Sequence, residues 1–348
     1  MNNNIIHRVL GVMSGTSIDG LDIVLCNFIK DEKWKFQIED AITFKYSKFW
    51  KDTLRELPYK KIKEIKEIDI IYGQFIGEKI NLFLGNRTVD FISCHGHTIF
   101  HQPEKKITLQ IGNGREIVKK TNIKTINNFR SLDVSLGGQG APLVPIGDLY
   151  LFPNYKFCVN IGGFANISIK NKSKITAYDI CPANIALNKI SEKIGFNYDN
   201  NGNMAKRGKL NSDLLHKLNN VKFYKINGPK SLGKEWFEQE ITEILNNYKN
   251  EYDILNTLCE HIALQISLHT KKYETLVTGG GALNRYLVNR IKFHSSSRII
   301  IPNKKIIEFK EALIFAFLGV LKTRNEINCL KSVTGASRNS STGDIHLN

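Results

Sequence analysis

The sequence has no long apolar run. Its longest, "ALIFAFLGVL", has ten residues, whereas a helix needs about 20 apolar residues to cross a bilayer. We therefore expect this run to form a buried helix. The N-terminus, "MNNNIIHRVLGVM", lacks a basic segment followed by a long apolar stretch, so a secretory signal is not expected. These absences predict a cytoplasmic protein without a membrane partner.

Paired cysteines are missing as well. No cysteine has CxxC or zinc-ligand spacing, and most lie in apolar runs such as "KFCVNI". This pattern predicts reduced thiols in a cytosolic protein. The six cysteines are Cys26, Cys94, Cys158, Cys181, Cys259 and Cys329.

Acidic residues are scarce beside basic ones. There are 33 Asp and Glu against 49 Lys and Arg, which gives a formal net charge of +16. Such an excess raises nucleic acid, anionic membranes or anionic small molecules as partners. However, no run of five or more basic residues occurs, and the lysines are mixed with acids and amides. The distribution favours a solvated surface and predicts no nucleic-acid partner. Retention of the protein on heparin that collapses as salt rises would contradict this prediction.

The composition is that of a globular protein, with 42% hydrophobic and 24% charged residues. A chain of 348 residues can form two domains with separate cores. Strand-like and helix-like segments alternate in the first third, which predicts an α/β layer. The Gly/Pro-rich "FRSLDVSLGGQGAPLVP" has no periodicity and predicts the domain junction. We expect an N-terminal domain over 1–130, a C-terminal domain over 131–330, and a tail from about 331 to 348 that returns to the first domain.

Small residues cluster at three predicted strand ends, at 14–20, 162–166 and 278–284. Residues 11–22, "GVMSGTSIDGLD", and the later "VNIGGFANIS" predict a hairpin at the start of each half, which hints at duplication. "TGGGALN" predicts a strand-to-helix turn with unpaired N–H groups. Each cluster alone is more typical of a tight turn, but together they predict a nucleotide phosphate site. The absence of GxxxxGK[ST] excludes a Walker A loop.

Six motifs then stand in order: "GVMSGTSIDGLD", "HGHT", "LGGQGAPLVP", "VNIGGFANIS", "TGGGALN" and "VTGASR". Together they resemble the anhydro-N-acetylmuramic acid kinases, and the resemblance runs from about residue 8 to 345. It implies the two-domain ATPase fold of actin, hexokinase and Hsp70. In that fold, two α/β domains with mixed, ribonuclease H-like sheets are hinged over a cleft.

The resemblance also implies an activity. ATP and water would act on 1,6-anhydro-N-acetylmuramic acid, a recycled cell-wall sugar, to give N-acetylmuramic acid 6-phosphate, with Mg²⁺ as the metal. Two alternatives stay open. One is a kinase of the same fold that acts on another sugar, and the other is a nucleotide-binding regulatory module without turnover. A homodimer is also compatible with the sequence.

Contacts to the ATP phosphates are implied at the three small-residue turns. Asp19 and Asp22 are the candidate carboxylates for Mg²⁺, held through water, although each could instead be a turn residue that bonds its own backbone. The implied phosphate-binding residues are Gly15, Thr16, Ser17, Ile18, Asp19, Gly20, Leu21, Asp22, Gly162, Gly163, Asn166, Gly279, Gly280, Gly281 and Asn284.

The implied catalytic base is Asp179. In the family it belongs to an Asp-x-Gly-Pro-x-Asn motif, and the matching stretch here is "YDICPAN". The alternative is a helix N-terminal carboxylate stabilised by backbone N–H groups. Cys181 and Ala183 replace the family glycines. We expect Pro182 at the first helical position and Ala183 in the first turn, with the thiol and the methyl group near the sugar.

Four residues are implied at the sugar: Thr98, Arg130, Asn184 and Glu311. Arg130 could pair with the lactyl carboxylate, although a lone arginine is more often part of a surface ion pair. Glu311 opens the predicted buried helix, where an acid would also complement the helix dipole.

The "HGHT" motif carries two histidines. Because His95 and His97 are two apart on a predicted strand, we expect them to face the same side. Such a pair suggests a metal, but the missing third ligand argues against zinc. By the resemblance, this loop lines the sugar site.

Overall fold

Contacts between residues divide the protein into two units in the computed structural model, which describes residues 6–171, 174–226, 228 and 230–348. Unit 1 comprises Met1–Phe152 and Phe309–Asn348, and unit 2 comprises Pro153–Glu308. The chain thus leaves the first unit later, and re-enters it earlier, than the predicted boundaries at 130 and 330.

Strands and helices follow one another along the chain. The strands of the described residues are β1 (Ile6–Ser14), β2 (Gly20–Lys30), β3 (Trp34–Lys45), β4 (Phe91–Gln102), β5 (Ile107–Ile111), β6 (Thr125–Asn127), β7 (Phe157–Ile161), β8 (Phe164–Asn171), β9 (Lys174–Pro182), β10 (Glu274–Thr278), β11 (Arg298–Ile300) and β12 (Asp344–His346). The α-helices are α1 (Lys48–Glu56), α2 (Ile62–Leu84), α3 (Gly114–Thr121), α4 (Ser131–Ser135), α5 (Val144–Leu151), α6 (Asn184–Lys193), α7 (Asn203–Arg207), α8 (Ser212–Asn219), α9 (Lys234–Trp236), α10 (Thr242–Asn246), α11 (Glu251–His269), α12 (Arg285–His294), α13 (Lys304–Thr323) and α14 (Lys331–Thr334). Short 3-10 helices lie at Leu57–Tyr59, Pro103–Lys105, Asn200–Gly202, Lys222–Lys225 and Gly280–Leu283, and a π-helical turn at Phe237–Ile241.

Both units contain a mixed sheet of the same topology. The strand order is β12-β6-β4-β1-β2-β3 in unit 1, with β5 paired to β4, and β11-β10-β7-β8-β9 in unit 2. In each unit the first three strands form an antiparallel meander, and the next core strand joins the first strand in parallel. This topology confirms the predicted actin-like, ribonuclease H-like fold class.

The core of unit 1 lies on both faces of its sheet. The amphipathic stretch predicted around residues 48–84 forms α1 and α2, separated by the turn at Leu57–Tyr59. Pro58 lies in that turn, where its missing N–H leaves no α-helical bond to break. Helix α2 buries Tyr72, Ile76 and Ile80 against β1, β2 and β4.

The predicted buried helix is confirmed as the apolar part of α13. Residues 312–321 of this helix are almost inaccessible to solvent. The helix begins at Lys304, so Glu311 is its eighth residue rather than its opening one. Because a dipole effect fades within the first turn, the dipole explanation of Glu311 is wrong. Among the described residues, no helix combines the length and apolarity of a membrane span.

The Gly/Pro-rich segment predicted as the domain junction lies inside unit 1. A buried carboxylate fixes it: Asp133 accepts hydrogen bonds from Gly140 N–H (2.8 Å), Thr334 Oγ1 (2.8 Å) and Cys329 Sγ (3.0 Å). The bonds join "LGGQG" to the C-terminal "VTGASR" motif. Side-chain hydrogen bonds thus hold this non-periodic segment in place. They also give the buried carboxylate the partners that a buried polar group needs. The C-terminal strand β12 pairs with β6 of the same unit.

Gly11 lies at a point of close contact between α13 and the sheet of unit 1. A Cβ atom at this position would lie 2.1 Å from the carbonyl oxygen of Ala312 and 2.9 Å from the Ala316 Cβ. We expect Gly11→Ala to destabilise the protein by about 1–3 kcal/mol, because strand and helix would have to separate. In thermal unfolding this corresponds to a fall in Tm of roughly 3–10 °C.

Gly15→Ala is the matched control. A Cβ there would meet only Ser17 Oγ, at an ordinary 3.5 Å. We expect this variant to keep the wild-type Tm within about 1 °C. Equal Tm values for the two variants would contradict the close packing of α13.

Candidate active site

The first predicted phosphate turn is confirmed as a hairpin between β1 and β2. Its tip is closed by a hydrogen bond from Ile18 N–H to the Gly15 carbonyl (3.2 Å), with Ile18 at φ +56°. Thr16, Ser17 and Asp19 are exposed there. The tip therefore offers hydroxyl groups and one carboxylate to solvent.

The remaining predicted residues of this motif lie on strand β2. Leu21 is fully buried in the core, so its side chain does not face a ligand. Gly20 lies against β3, where a Cβ would be 2.7 Å from the Phe44 carbonyl oxygen. Asp22 accepts a hydrogen bond from Thr43 Oγ1 (2.6 Å). Of the residues predicted to bind phosphate in this motif, the exposed ones thus lie at its tip.

A buried hydroxyl chain supports the base of this hairpin. Tyr46 OH donates to Ser14 Oγ (2.7 Å), and Ser14 Oγ lies 2.8 Å from His97 Nδ1. Tyr72 OH lies 2.5 Å from Tyr46 OH. Burial lowers the pKa of His97 to about 4, so the chain is uncharged at neutral pH. The two tyrosines lie in an amphipathic helical stretch and just after a strand, and no local motif marks them.

The two histidines of "HGHT" do not share a side. His97 faces the α2 side through Ser14, whereas the His95 ring packs on Phe315 of α13, with centroids 4.5 Å apart. Between them Gly96 adopts φ +75°, and the β1–β4 register shifts between Val12 and Ser14. This bulge breaks the alternation on which the prediction depended. A Cβ at Gly96 would lie 2.2 Å from the Ile111 carbonyl oxygen.

Arg130 lies beside this bulge in unit 1. Its Nε and Nη2 lie 3.0 Å and 2.9 Å from His95 Nε2, and Nη1 donates to the Gly140 carbonyl (2.7 Å). It is therefore not the surface ion pair of the alternative interpretation. Desolvation lowers the pKa of Arg130 to about 10, against the opposing effect of Glu311.

Glu311 of α13 is the carboxylate electrostatically coupled to Arg130. It is solvent-accessible, yet the surrounding protein raises its pKa, opposed by Arg130 and Lys310. Thr98 is half-buried on β4, where it pairs with Gln110 of β5.

The second predicted hairpin is also confirmed, with Gly162 and Gly163 between β7 and β8. Its carbonyl groups bind the start of α6: Asn184 N–H donates to Gly162 O (3.1 Å), and Ala183 and Ile185 N–H donate to Gly163 O (2.8 and 3.1 Å). These bonds satisfy N–H groups that a helix start leaves without partners. The turn therefore fixes α6 in place.

The third turn is fitted against the second by close backbone contact. A Cβ at Gly279 would lie 2.7 Å from the Ile161 carbonyl oxygen, and one at Gly281 would lie 2.2 Å from Ile161 Cγ2. Asn184 donates from Nδ2 to the same carbonyl (3.1 Å). The Asn284 side chain caps α12 by accepting from Leu287 N–H (3.0 Å). One of the N–H groups expected to be unpaired is thus satisfied internally.

A cavity of about 340 Å³ opens beside the third turn in unit 2. Asn184, predicted at the sugar, lines it together with Gly280 and Asn284, so we group Asn184 with the glycine turns. The lining residues are Asn184, Leu187, Asn188, Tyr198, Asp199, Asn200, Asn201, Gly280, Leu283 and Asn284. A polar, amide-rich cavity next to a glycine turn suits a nucleoside phosphate.

A polar row crosses the sheet of unit 2. Thr278 pairs with Asn160, Asn160 with Asn166, and Asn166 with Asp179, on four neighbouring strands. Directly paired residues have Cβ atoms about 5 Å apart. The row therefore connects the third turn with the predicted base. Sequence reasoning missed Asn160 and Thr278 because only the sheet register reveals the row.

Asp179 is a strand residue. Its N–H donates to Lys230 O (2.9 Å), and its Oδ2 accepts from Leu232 N–H (2.8 Å). It lies on β9, before the first residue of α6, so the helix N-terminal interpretation is wrong. Burial raises the pKa of Asp179, and the Leu232 N–H opposes that rise. A raised pKa suits a carboxylate that takes up a proton during catalysis.

The expected helix start at Pro182 is wrong. Pro182 ends β9 and pairs with Phe164, and Ala183 has non-helical φ and ψ of −129° and −99°. Cys181 and Ala183 are fully buried in the core of unit 2. The thiol and the methyl group thus fill the core and do not line a ligand site. All six cysteines are buried, and none forms a disulfide with another.

Two mixed sheets of one topology, each with a glycine turn after its first strand, define a protein of the actin-like ATPase class. The anhydro-N-acetylmuramic acid kinase family model matches residues 7–348. The chain therefore belongs to this family, as the resemblance predicted.

Curated relatives match over nearly their whole length. The anhydro-N-acetylmuramic acid kinase of Sulfurovum sp. is 31% identical, with 98% of this chain and 99% of that protein covered. That of Clostridioides difficile is 33% identical, with 97% of each covered. Among solved structures, the activator of 2-hydroxyisocaproyl-CoA dehydratase from Clostridium difficile with bound ADPNP aligns at a TM-score of 0.46 and 14% identity, over 91% of this chain and 97% of that one.

The burial of Cys181 generates a stability prediction. Cys181→Gly removes a core side chain and adds strand flexibility, so we expect a loss of about 1–3 kcal/mol. Cys181→Ala, the control, should lose less because the strand keeps a Cβ. Thermal unfolding measures both. A glycine variant as stable as wild type would show that the thiol does not fill the core.

Proposed function

We propose that this protein is an ATP-dependent kinase that opens 1,6-anhydro-N-acetylmuramic acid with water and phosphorylates its O6. The product is N-acetylmuramic acid 6-phosphate, and the role is recycling of cell-wall sugar in the cytoplasm. Family membership over residues 7–348 supports the reaction class. The mechanism rests on the half-buried Asp179 carboxylate. It accepts a hydrogen bond from Leu232 N–H, and burial raises its pKa.

Asp179 would act as the general base. It takes a proton from water as the water oxygen bonds to C1, while the C1–O6 bond breaks and the electron pair stays on O6. O6 then takes the γ-phosphoryl group of ATP, and ADP leaves. Water supplies the new C1 hydroxyl. The hydrogen bond from Leu232 N–H to Oδ2 fixes the carboxylate without neutralising its charge.

The three glycine turns would hold the nucleotide. In unit 2, Gly279 and Gly281 permit the third turn to lie against Ile161, and the adjoining cavity of about 340 Å³ would take the nucleoside. Asn166 is the cross-strand neighbour of Asp179, which suits a residue near the transferred phosphoryl group. In unit 1, the exposed tip of the first hairpin would bind phosphate through its hydroxyl and N–H groups.

Magnesium would enter with ATP. Mg²⁺ usually binds one or two carboxylates with waters and substrate phosphates, and the exposed Asp19 fits that mode. Asp22 fits less well because its Oδ1 already accepts the Thr43 hydroxyl. When bound, the ion would neutralise charge on the phosphates, and Asp19 would hold its water ligands.

The sugar would be recognised by unit 1 residues. Arg130 is the cation for the lactyl carboxylate, and Glu311 and Thr98 would accept or donate hydrogen bonds to hydroxyl and amide groups. The lowered pKa of Arg130 reflects its desolvation, which strengthens a charge-assisted hydrogen bond to a bound anion.

Asp179→Asn tests this function. We expect a fall in kcat of about 10²- to 10⁴-fold, because a general base contributes that much, with ATP affinity unchanged. Formation of the 6-phosphate from ATP and the anhydro sugar, followed by mass spectrometry, measures the loss. Activity within about tenfold of wild type would remove Asp179 from the mechanism.

Stability separates this loss from misfolding. Because the folded-state pKa of Asp179 is raised, the ionised carboxylate opposes folding at neutral pH, and this cost disappears as pH falls below the unfolded-state pKa. Asn can still accept from Leu232 N–H. We therefore expect the variant to be at least as stable as wild type at pH 7. Asp213→Asn, which changes an exposed carboxylate on α8, should keep full activity.

A further inference from the structure

The hydrogen-bond donors of Arg130 are only partly used within the protein. A guanidinium has five N–H donors. Three are engaged: Nε–H and one Nη2–H with His95, and one Nη1–H with the Gly140 carbonyl. Among the described residues this leaves one donor on each terminal nitrogen. Donors on the two terminal nitrogens can bind the two oxygens of a carboxylate.

His95 sets this arrangement through its tautomer. Its Nδ1 lies 2.9 Å from the carbonyl oxygen of Gly96, which can only accept, so Nδ1 carries the proton. Nε2 therefore has its lone pair free to accept from Arg130. The imidazole is the acceptor that holds one edge of the guanidinium, and it leaves the other edge open.

Packing fixes the imidazole in this role. His95 is 4% exposed, and its ring lies on Phe315 of the apolar α13. Burial and the charge of Arg130 both lower the pKa of His95, so the ring stays neutral. The bulge at Gly96 supplies the carbonyl that selects the tautomer.

We propose that His95 is a positioning residue that aims the two remaining N–H groups of Arg130 at the carboxylate of the sugar. The proposal rests on the proposed function, because the anion is the lactyl carboxylate of that substrate. It makes His95 a determinant of specificity for acidic over neutral anhydro sugars. The first histidine of "HGHT" thus orients a cation rather than binding a metal.

Two variants separate positioning from packing. His95→Phe keeps a ring against Phe315 but removes the acceptor, whereas His95→Gln supplies a carbonyl oxygen near the place of Nε2. We expect His95→Phe to weaken binding of the anhydro sugar about tenfold to a hundredfold, the range for a hydrogen bond to a charged group. His95→Gln should restore it to within about threefold. The KM for ATP should be unchanged, and kcat should change less than the sugar KM.

Calorimetry with two ligands gives the direct measurement. The first is 1,6-anhydro-N-acetylmuramic acid, and the second is its lactyl amide, which lacks the negative charge. We expect His95→Phe to weaken only the acid, and to have no further effect in an Arg130→Met background. Equal losses for acid and amide, or the same His95 effect without Arg130, would overturn the proposal.

Failure of the proposed function gives a different result. A wild-type protein that neither binds nor phosphorylates the acidic sugar would refute the function, and this inference with it. A wild-type protein that binds the acid, together with a His95→Phe variant of equal affinity, would refute the inference alone. Nitrogen NMR of the free protein adds a test without ligand: the expected signal is a neutral His95 with its proton on Nδ1, and a proton on Nε2 would contradict the arrangement.

Discussion

Close backbone approach, at positions where a Cβ atom does not fit, is the constraint that shapes both units. In unit 1, Gly11 lets α13 contact the sheet, and Gly96 lets β4 bulge against β5. In unit 2, Gly279 and Gly281 let the third turn lie on the end of β7. Each contact places a segment that carries candidate site residues beside a strand or its end. Glycine therefore acts here mainly through its missing side chain.

The fold could be predicted from the sequence where the signal was local. Small-residue clusters at strand ends indicated all three turns, and the ten-residue apolar run indicated the buried part of α13. The domain limits could not be predicted, because the buried carboxylate of Asp133 holds a non-periodic segment inside unit 1 through residues about 200 positions away. Such long-range hydrogen bonds leave no periodic pattern.

For the candidate site, the sequence and the resemblance named residues but not their geometry. The sides of His95 and His97 depend on a bulge at Gly96, and the start of α6 depends on carbonyl groups of the Gly162–Gly163 turn. The two-residue spacing of His95 and His97 does not reveal the bulge, and Pro182 does not reveal where α6 begins. The family resemblance pointed to Asp179, whereas the strand register and Leu232 explain how its carboxylate is held.

Polar groups in the two units follow different rules. Asp133 and His95 are buried with matched hydrogen-bond partners, and these bonds fix the structure around them. The charged form of the Asp179 carboxylate is instead disfavoured, as its raised pKa indicates. Such a cost to folding is expected where a group must exchange a proton. It agrees with a base that acts on water, so that water attacks C1 of the sugar.

Reaction in ¹⁸O-labelled water decides whether water attacks C1. We expect a 6-phosphate sugar with one ¹⁸O at C1 and none in the transferred phosphoryl group, and preformed product kept in labelled water for the same time corrects for exchange. Label in inorganic phosphate with an unlabelled sugar would instead indicate simple ATP hydrolysis and would contradict attack of water on the sugar.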